Sequence, residues 1–339
     1  MDAALNFLRR CWLPAVWSKD LADKPVGFEA LGTHLVALRG AGGTPVVMED
    51  RCAHRGVALS DGYVVDGSIM CRYHGWRYDA DGRCLKVPSL LPEDRLPDAC
   101  VPVFRSREQE DTVWFTLSET PYTDEPPHWR HLSAMASLNV VEIEGYYTHL
   151  MENLVDNPHA GYIHAGLIRG EPTQRVTAEI QQTAEHIVIR TTGEKTGSSL
   201  LFKLLGKKGE AVGHTEEYLA PNQMVSTYSQ LGRLAGVQSF VVPIDEHRTR
   251  WFFRPFLSFG PLTSLVFPLY NRIVLTILMQ DAEVVRQVHD QACRWPGRRI
   301  LSTKSDVPSL LVASAARAFA QHGPQSGVAE RTRTVEYML

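Results

Sequence analysis

A chain of 339 residues is long enough for two domains, each with its own core. Its 44% hydrophobic and 22% charged content is ordinary for a soluble globular protein, and a formal net charge of −3 removes the electrostatic case for nucleic acid as a partner. Six Cys without a disulfide-like framework point to a reducing cytoplasm, and the opening MDAALNFLRRCWLPAVW lacks the apolar core and cleavage site of a signal peptide.

From the N-terminus, Leu35–Leu38 and Val46–Met48 read as β-type runs around Gly40, Gly42 and Gly43, and Val113–Phe115 closes the set. Asp61-Gly62, Asp66-Gly67 and Asp81-Gly82 read as hairpin-type turns. A small antiparallel β domain over residues 1–118 is therefore expected. At one tip it would carry two short clusters, Cys52-Ala53-His54 and, after sixteen intervening residues, Cys71-Arg72-Tyr73-His74.

Each cluster supplies one thiolate and one imidazole. Cys52 with Cys71 suits one iron and His54 with His74 another, which is the ligand set of a Rieske [2Fe–2S] centre. The loops CAHRG and CRYHGW place a Gly close after each His, where it accepts tight backbone angles and lets N–H groups approach inorganic sulfur. A four-ligand zinc site is the alternative, but common zinc-finger spacing keeps the two Cys in one cluster and the two His in the other. Cys11, Cys84, Cys100 and Cys293 read as buried free thiols.

Residues 119–133 are Pro-rich and polar, so the domain boundary is expected there, with 119–339 as the second domain. Leu138–Glu144 reads as a strand and Tyr146–Asp156 as a helix. Strand-like runs recur at Ile187–Thr191, Glu216–Leu219, Met224–Tyr228, Phe240–Pro243 and Arg250–Pro255, followed by helices over Ile277–Trp295 and Ser309–His322. The second domain is thus expected to be α+β, an antiparallel sheet wrapped by helices. Leu262–Met279 is apolar, but Pro268, Asn271 and Arg272 interrupt it, and a mid-membrane Arg costs about 2.5–3.5 kcal/mol. A buried core segment or pocket wall is expected there rather than a membrane span.

The segment MENLVDNPHAGYIH (151–164) sets Asn153, Asp156, His159 and His164 in the pattern N-x2-D-x2-H-x4-H. Two imidazoles and a carboxylate make the iron-binding face of mononuclear oxygenases. On an unbroken helix His159 and His164 would diverge by ~140°, so the helix must distort, as Asn157-Pro158 and Gly161 permit. Asp281 is the candidate third ligand. With Ile277 at zero on a helical wheel, it falls at ~40°, among Val284 at ~340°, Val285 at ~80° and Val288 at ~20°. An unpaired carboxylate on that apolar face is costly, and either a metal or a structural ion pair would offset the cost. Glu283, at ~240°, reads as a solvated acid.

Taken in order, C-x-H…C-x2-H, D-x2-H-x4-H and the QD pair at 280–281 resemble a Rieske non-heme iron oxygenase, the α subunit of the smaller homotrimeric monooxygenase/demethylase kind. The resemblance covers nearly the whole chain and implies an N-terminal Rieske β domain followed by a helix-grip catalytic domain. It implies that Cys52, His54, Cys71 and His74 hold the [2Fe–2S] cluster, and that His159, His164 and Asp281 hold mononuclear Fe(II). By the same resemblance Asn153 lies near the iron, and Asp156 bridges the two centres between neighbouring subunits of a head-to-tail homotrimer. Asn153 acting as a helix pin, and Asp156 as an acceptor orienting His159, remain open. The family's electrons come from NAD(P)H through a separate flavin and iron–sulfur reductase or a ferredoxin. O2 is an implied substrate, and the apolar candidate pocket residues named below suggest an apolar, aromatic or polycyclic small molecule as the other. Hydroxylation and oxidative demethylation are the expected reactions. A Rieske electron carrier without oxygenation chemistry is the competing reading, although it needs no second triad.

Phe202, Phe240, Phe252, Phe253 and parts of Leu262–Met279 are candidate pocket walls, with sheet core as the other possibility. Lys203, Lys207 and Lys208 read as a solvated loop or as an attractor for acidic partners. His128, His131, His149, His186, His214, His247 and His289 show no constellation.

Overall fold

The computed structural model describes residues 5–195, 209–325, 327 and 329–339. The chain packs as two compact units, one formed by Leu8–His128 and the other by Trp129–Leu339 with the N-terminal residues up to Phe7.

In the first unit, β1 (Leu13–Trp17), β2 (Val26–Ala30), β3 (Thr33–Arg39) and β4 (Pro45–Glu49) are followed by the short strands β5 (Tyr63–Val65), β6 (Ser68–Met70), β7 (Arg77–Tyr78) and β8 (Cys84–Lys86). The long strands β9 (Val103–Gln109) and β10 (Thr112–Thr116) complete it. One antiparallel sheet runs β1-β10-β9-β4-β3-β2, and a second runs β5-β6-β7-β8. Asp66 (φ 48°) and Gly67 (φ 71°) both take left-handed angles, as the tight β5–β6 hairpin requires. Asp81-Gly82 joins β7 to β8. Asp61-Gly62 is a turn but not a hairpin, because it leads from the long β4–β5 connection into β5. Val36, Leu38, Met48, Ile69 and Tyr78 pack the sheets into one core, and Cys52 and Cys71 belong to it.

The second unit is built on an antiparallel sheet of β11 (Met135–Ala136), β12 (Asn139–Glu144), β13 (Arg175–Gln182), β14 (His186–Thr192), β15 (Gly213–Leu219), β16 (Gln223–Gln230), β17 (Arg233–Pro243), β18 (Arg248–Ser258) and β19 (Arg331–Met338). Its order is β11-β18-β17-β16-β15-β14-β13-β19, with β12 also on β18. Alternation is plain in β13, where Val176, Ala178 and Ile180 are buried and Arg175, Glu179 and Gln181 are exposed. Three described helices accompany the sheet: α1 (Tyr147–Leu154), α2 (Thr263–Arg294) and α3 (Val307–His322).

Three expectations need correction here. Helix α2 begins at Thr263 rather than near Ile277, because Pro268 costs it only the bond to the carbonyl one turn back. Leu262–Met279 is not a wholly buried segment, since Leu265 is 76% exposed, but the pocket-wall reading holds for part of it: Tyr270, Val274, Ile277 and Leu278 are buried and line a cavity. Phe240, Phe252 and Phe253 lie wholly in the sheet core, where Phe240 meets Trp129 edge-on at 4.8 Å. By length and composition Gly260–Arg294 is apolar enough to cross a membrane, with mean hydropathy 1.6, yet one face of it packs on β18 and β12. Phe202, Lys203, Lys207 and Lys208 lie outside the described residues.

Candidate functional site

The two cluster loops of the first unit share one backbone design. In the first, the Cys52 amide donates to the Val57 carbonyl and the Gly56 amide to the Cys52 carbonyl, both at 2.9 Å. In the second, the Cys71 amide donates to Trp76 at 2.8 Å and the Gly75 amide to Cys71 at 3.0 Å. The fifth residue of each loop must turn left-handed, and Gly56 (φ 73°) and Gly75 (φ 70°) occupy those places.

This design buries the thiols of Cys52 and Cys71, leaves His74 exposed and His54 half-buried, and sets the two rings 4.7 Å apart between centroids. Trp76 stacks on His54 at 4.6 Å, and the Tyr78 hydroxyl lies 3.2 Å from the Cys52 sulfur. Burial pushes the Cys71 thiol up, and the neighbouring Cys52 adds to the shift. Two buried thiols and two paired imidazoles on neighbouring loops fit a cationic group with mixed S and N ligands.

In the second unit α1 ends at Leu154, and a 3-10 turn over Asn157–Gly161 carries His159. Pro158 opens that turn, so the chain leaves the α-helical track before His159 and the two His can meet. The Nε2 atoms of His159 and His164 are 3.2 Å apart, and Asp281 Oδ1 lies 3.2 Å from the first and 2.9 Å from the second. The Gln280 carbonyl oxygen accepts from His164 Nδ1 at 2.8 Å, which leaves the Nε2 lone pair facing His159 and Asp281.

Asp281 is 4% exposed, yet its carboxyl lies below the usual range; burial alone would raise it, and the two imidazoles outweigh burial. For His159, burial lowers the pKa, but Asp156 and Asp281 overcome it and bring the value to about 9. His159 Nδ1 is 3.7 Å from Asp156 Oδ2. Two imidazole nitrogens and one ionised carboxylate oxygen facing one point fit a divalent cation.

The helical wheel needs a correction. Val285 is buried beside Asp281, but Val284 is only half-buried and Val288 is 46% exposed. The stripe that packs inward is Tyr270, Ile273, Val274, Ile277, Leu278, Asp281, Val285 and His289, at spacings of three and four.

A cavity of about 100 Å³ opens beside the triad, walled by Ile168, Ala235, Val237, Tyr270, Val274 and Leu278. Asn153 and Asp156 line it too, and the Asn153 side-chain oxygen Oδ1 is buried without a hydrogen-bond partner among the described residues. None of Phe240, Phe252 and Phe253 reaches it.

One side of this cavity is polar, which sequence reasoning missed. The Arg169 guanidinium grips Glu194 with two bonds of 3.0 Å; His214 Nδ1 is 2.9 Å from the same carboxylate, and its Nε2 is 3.4 Å from Glu216. Asn157 donates to Glu216 at 3.2 Å. The signal was available in the β15 alternation, which turns His214, Glu216 and Tyr218 to one buried face. Charged residues there required partners.

Among the other thiols, Cys11 is buried and Cys84 half-buried, whereas Cys100 and Cys293 are exposed, so burial does not hold for all four. His131 stacks on Phe256 at 4.5 Å, and His128 pairs with Glu110 at 2.6 Å.

A β domain with two paired Cys-His loops, joined in one chain to a sheet-and-helix domain with an inward-facing His-His-Asp triad, defines a class. Residues 11–104 match the Rieske [2Fe-2S] domain, and residues 143–319 match the vanillate O-demethylase oxygenase C-terminal domain. The chain belongs to the Rieske oxygenase family.

It is 27% identical to a 3-chlorobenzoate-3,4-dioxygenase oxygenase subunit of Comamonas testosteroni, over 74% of this chain and 59% of the relative. It is 35% identical to the chloroplastic chlorophyllide a oxygenase of Chlamydomonas reinhardtii, over 49% of this chain and 26% of that one. The chain spans about three fifths or less of the first of these curated relatives. Dicamba monooxygenase bound to dicamba shares the fold at TM-score 0.81 and 19% identity, covering 93% of this chain and 98% of its own. Pseudomonas putida CBB5 NdmA with caffeine gives 0.78 and 20%, covering 98% of each.

Proposed function

We propose that this chain is the oxygenase component of an O2-dependent system that hydroxylates or oxidatively demethylates an apolar small molecule. His159, His164 and Asp281 would hold mononuclear Fe(II), and Cys52, His54, Cys71 and His74 the [2Fe–2S] cluster. When bound, the cluster supplies single electrons and the Fe(II) supplies O2 activation. The electrons would come from NAD(P)H through a separate reductase or ferredoxin, in a cytoplasmic homotrimer. The observation that carries the reading is the convergence of His159 Nε2, His164 Nε2 and Asp281 Oδ1 beside an apolar cavity.

The chain's own residues have definable tasks. Ile168, Val274, Ile277 and Leu278 exclude water and take an apolar group. Gln280 fixes the tautomer of His164, and Asp156 sets its negative charge 3.7 Å from the far nitrogen of His159. The cavity is compact, so it fits the reacting end of a substrate, a single ring or a methyl-bearing group, better than a whole polycycle. Names of relatives such as dicamba monooxygenase, and the demethylase family match, support oxidation of a small aromatic or a methyl group.

The test is iron quantification followed by a substrate screen with a surrogate reductase, read by O2 uptake and product mass. Three irons per chain and substrate-dependent gain of oxygen, or loss of a methyl as formaldehyde, are expected. Two irons per chain and no substrate-dependent O2 uptake would instead indicate a Rieske electron carrier.

A further inference from the structure

We propose that His247, His289 and Cys293 form a second metal site, open to solvent, that takes a borderline divalent cation of the zinc type. Their ligand atoms lie within 4.8 Å of one another. His247 Nδ1 is 3.1 Å from His289 Nε2, and Cys293 Sγ is 3.5 Å from the same nitrogen. Tetrahedral zinc with ordinary bond lengths sets its N···N edge at ~3.4 Å and its N···S edge at ~3.6 Å. Both observed separations are close to those edges, so little movement is needed to seat an ion.

The scaffold is also suited to the task. His289 and Cys293 stand four residues apart on α2, so their side chains share a face one turn apart. His247 comes from the turn between β17 and β18, which is tied down twice. Its amide donates to Asp245 at 2.8 Å, and its carbonyl accepts from Gly145 at 2.7 Å. His289 is buried, whereas His247 and Cys293 are exposed, so an ion can enter from solvent and water can fill the remaining position. The sequence shows no constellation here, because His247 lies 42 residues from His289 and meets it only in the folded chain. Binding would release the Cys293 thiol proton to solvent and leave a thiolate on the metal. It would also clamp the β17–β18 turn to α2, two turns beyond Asp281.

The experiment uses the protein loaded with its cluster and iron. Zn2+ is titrated in, and alkylation of Cys293 by iodoacetamide is followed by peptide mass spectrometry. Cys100, which is exposed and outside the group, serves as the internal control. Saturating Zn2+ should slow alkylation of Cys293 by about tenfold or more while leaving Cys100 unchanged, since a metal-bound thiolate is a poor free nucleophile. His247→Ala, which keeps the backbone hydrogen bonds of the turn, should abolish the protection. Co2+ in place of Zn2+ should give a thiolate charge-transfer band that Cys293→Ser removes. Equal alkylation with and without Zn2+, or protection that survives His247→Ala, would overturn the site.

Discussion

Asp281 Oδ1 stands 2.9 Å from His164 Nε2, across 117 residues of chain. A helix that spends half its length at the surface brings this one carboxylate into a buried site. Replacing it tests the triad. Asp281→Asn keeps the shape but removes the charge that holds both imidazoles, so the variant should lose most of its mononuclear iron and keep its two cluster irons. Metal analysis beside the visible spectrum of the cluster reads both, and retention of three irons per chain would remove Asp281 from the ligand set.

Metal loading should depend on pH in a definite direction. In the metal-free triad His159 titrates at about 9, so at neutral pH an entering cation must displace a proton. Below that value this group alone makes Fe(II) affinity rise by roughly tenfold per pH unit, and the rise should flatten above it. Anaerobic Fe(II) titration of the iron-stripped protein between about pH 6.5 and 8.5 measures the slope. A flat profile would show that His159 is not a ligand.

Asp156 has a separate role to test, because it meets His159 Nδ1 rather than the face shared with His164. Asp156→Asn should keep both metal centres and lower substrate-dependent O2 uptake by roughly 10–100-fold, the range found for residues that orient a ligand. Normal turnover with unchanged iron would leave Asp156 without a catalytic task.

The buried ion network beside the cavity is a stability device. Arg169→Met strands Glu194 without its guanidinium and should cost about 3–5 kcal/mol in chemical denaturation. Burial raises the Glu194 carboxyl, but Arg169 and His214 outweigh burial and hold it at about 2, against an ordinary 4.5. A lowered folded pKa means that this stabilisation is complete above 4.5 and fades as pH falls toward 2. In the wild type an acid transition should therefore appear in that window, and in Arg169→Met it should move to higher pH.

Gly75 turns left-handed next to His74, and a Cβ there would sit 2.9 Å from the Pro88 ring. Gly75→Ala should cost about 1–3 kcal/mol in strain and lower cluster content per chain. Cluster absorbance at full occupancy would show instead that the loop has slack.

The sequence by itself determined what is local. Ligand types, the glycines that turn two five-residue loops, and the Asn157-Pro158 break before His159 all act through neighbouring backbone angles. The Asp66-Gly67 and Asp81-Gly82 hairpin turns and the late helix carrying Asp281 were legible for the same reason, since turn chemistry and periodicity are short-range properties, whereas the strand β13 was not read from the sequence. Tertiary packing alone decided which side chains share a site. Phe240 and Phe252, paired across β17 and β18, share one face of the sheet and Phe253 takes the other, and all three are buried away from the cavity because both faces are covered there. Val288 is exposed and His289 buried because the rotation of α2 on the sheet selects the stripe. His247 reaches His289, and Arg169 reaches Glu194, only once the β17–β18 turn and the central strands are in place. Contacts between distant segments depend on register and helix rotation, and those follow from burying the whole apolar surface at once.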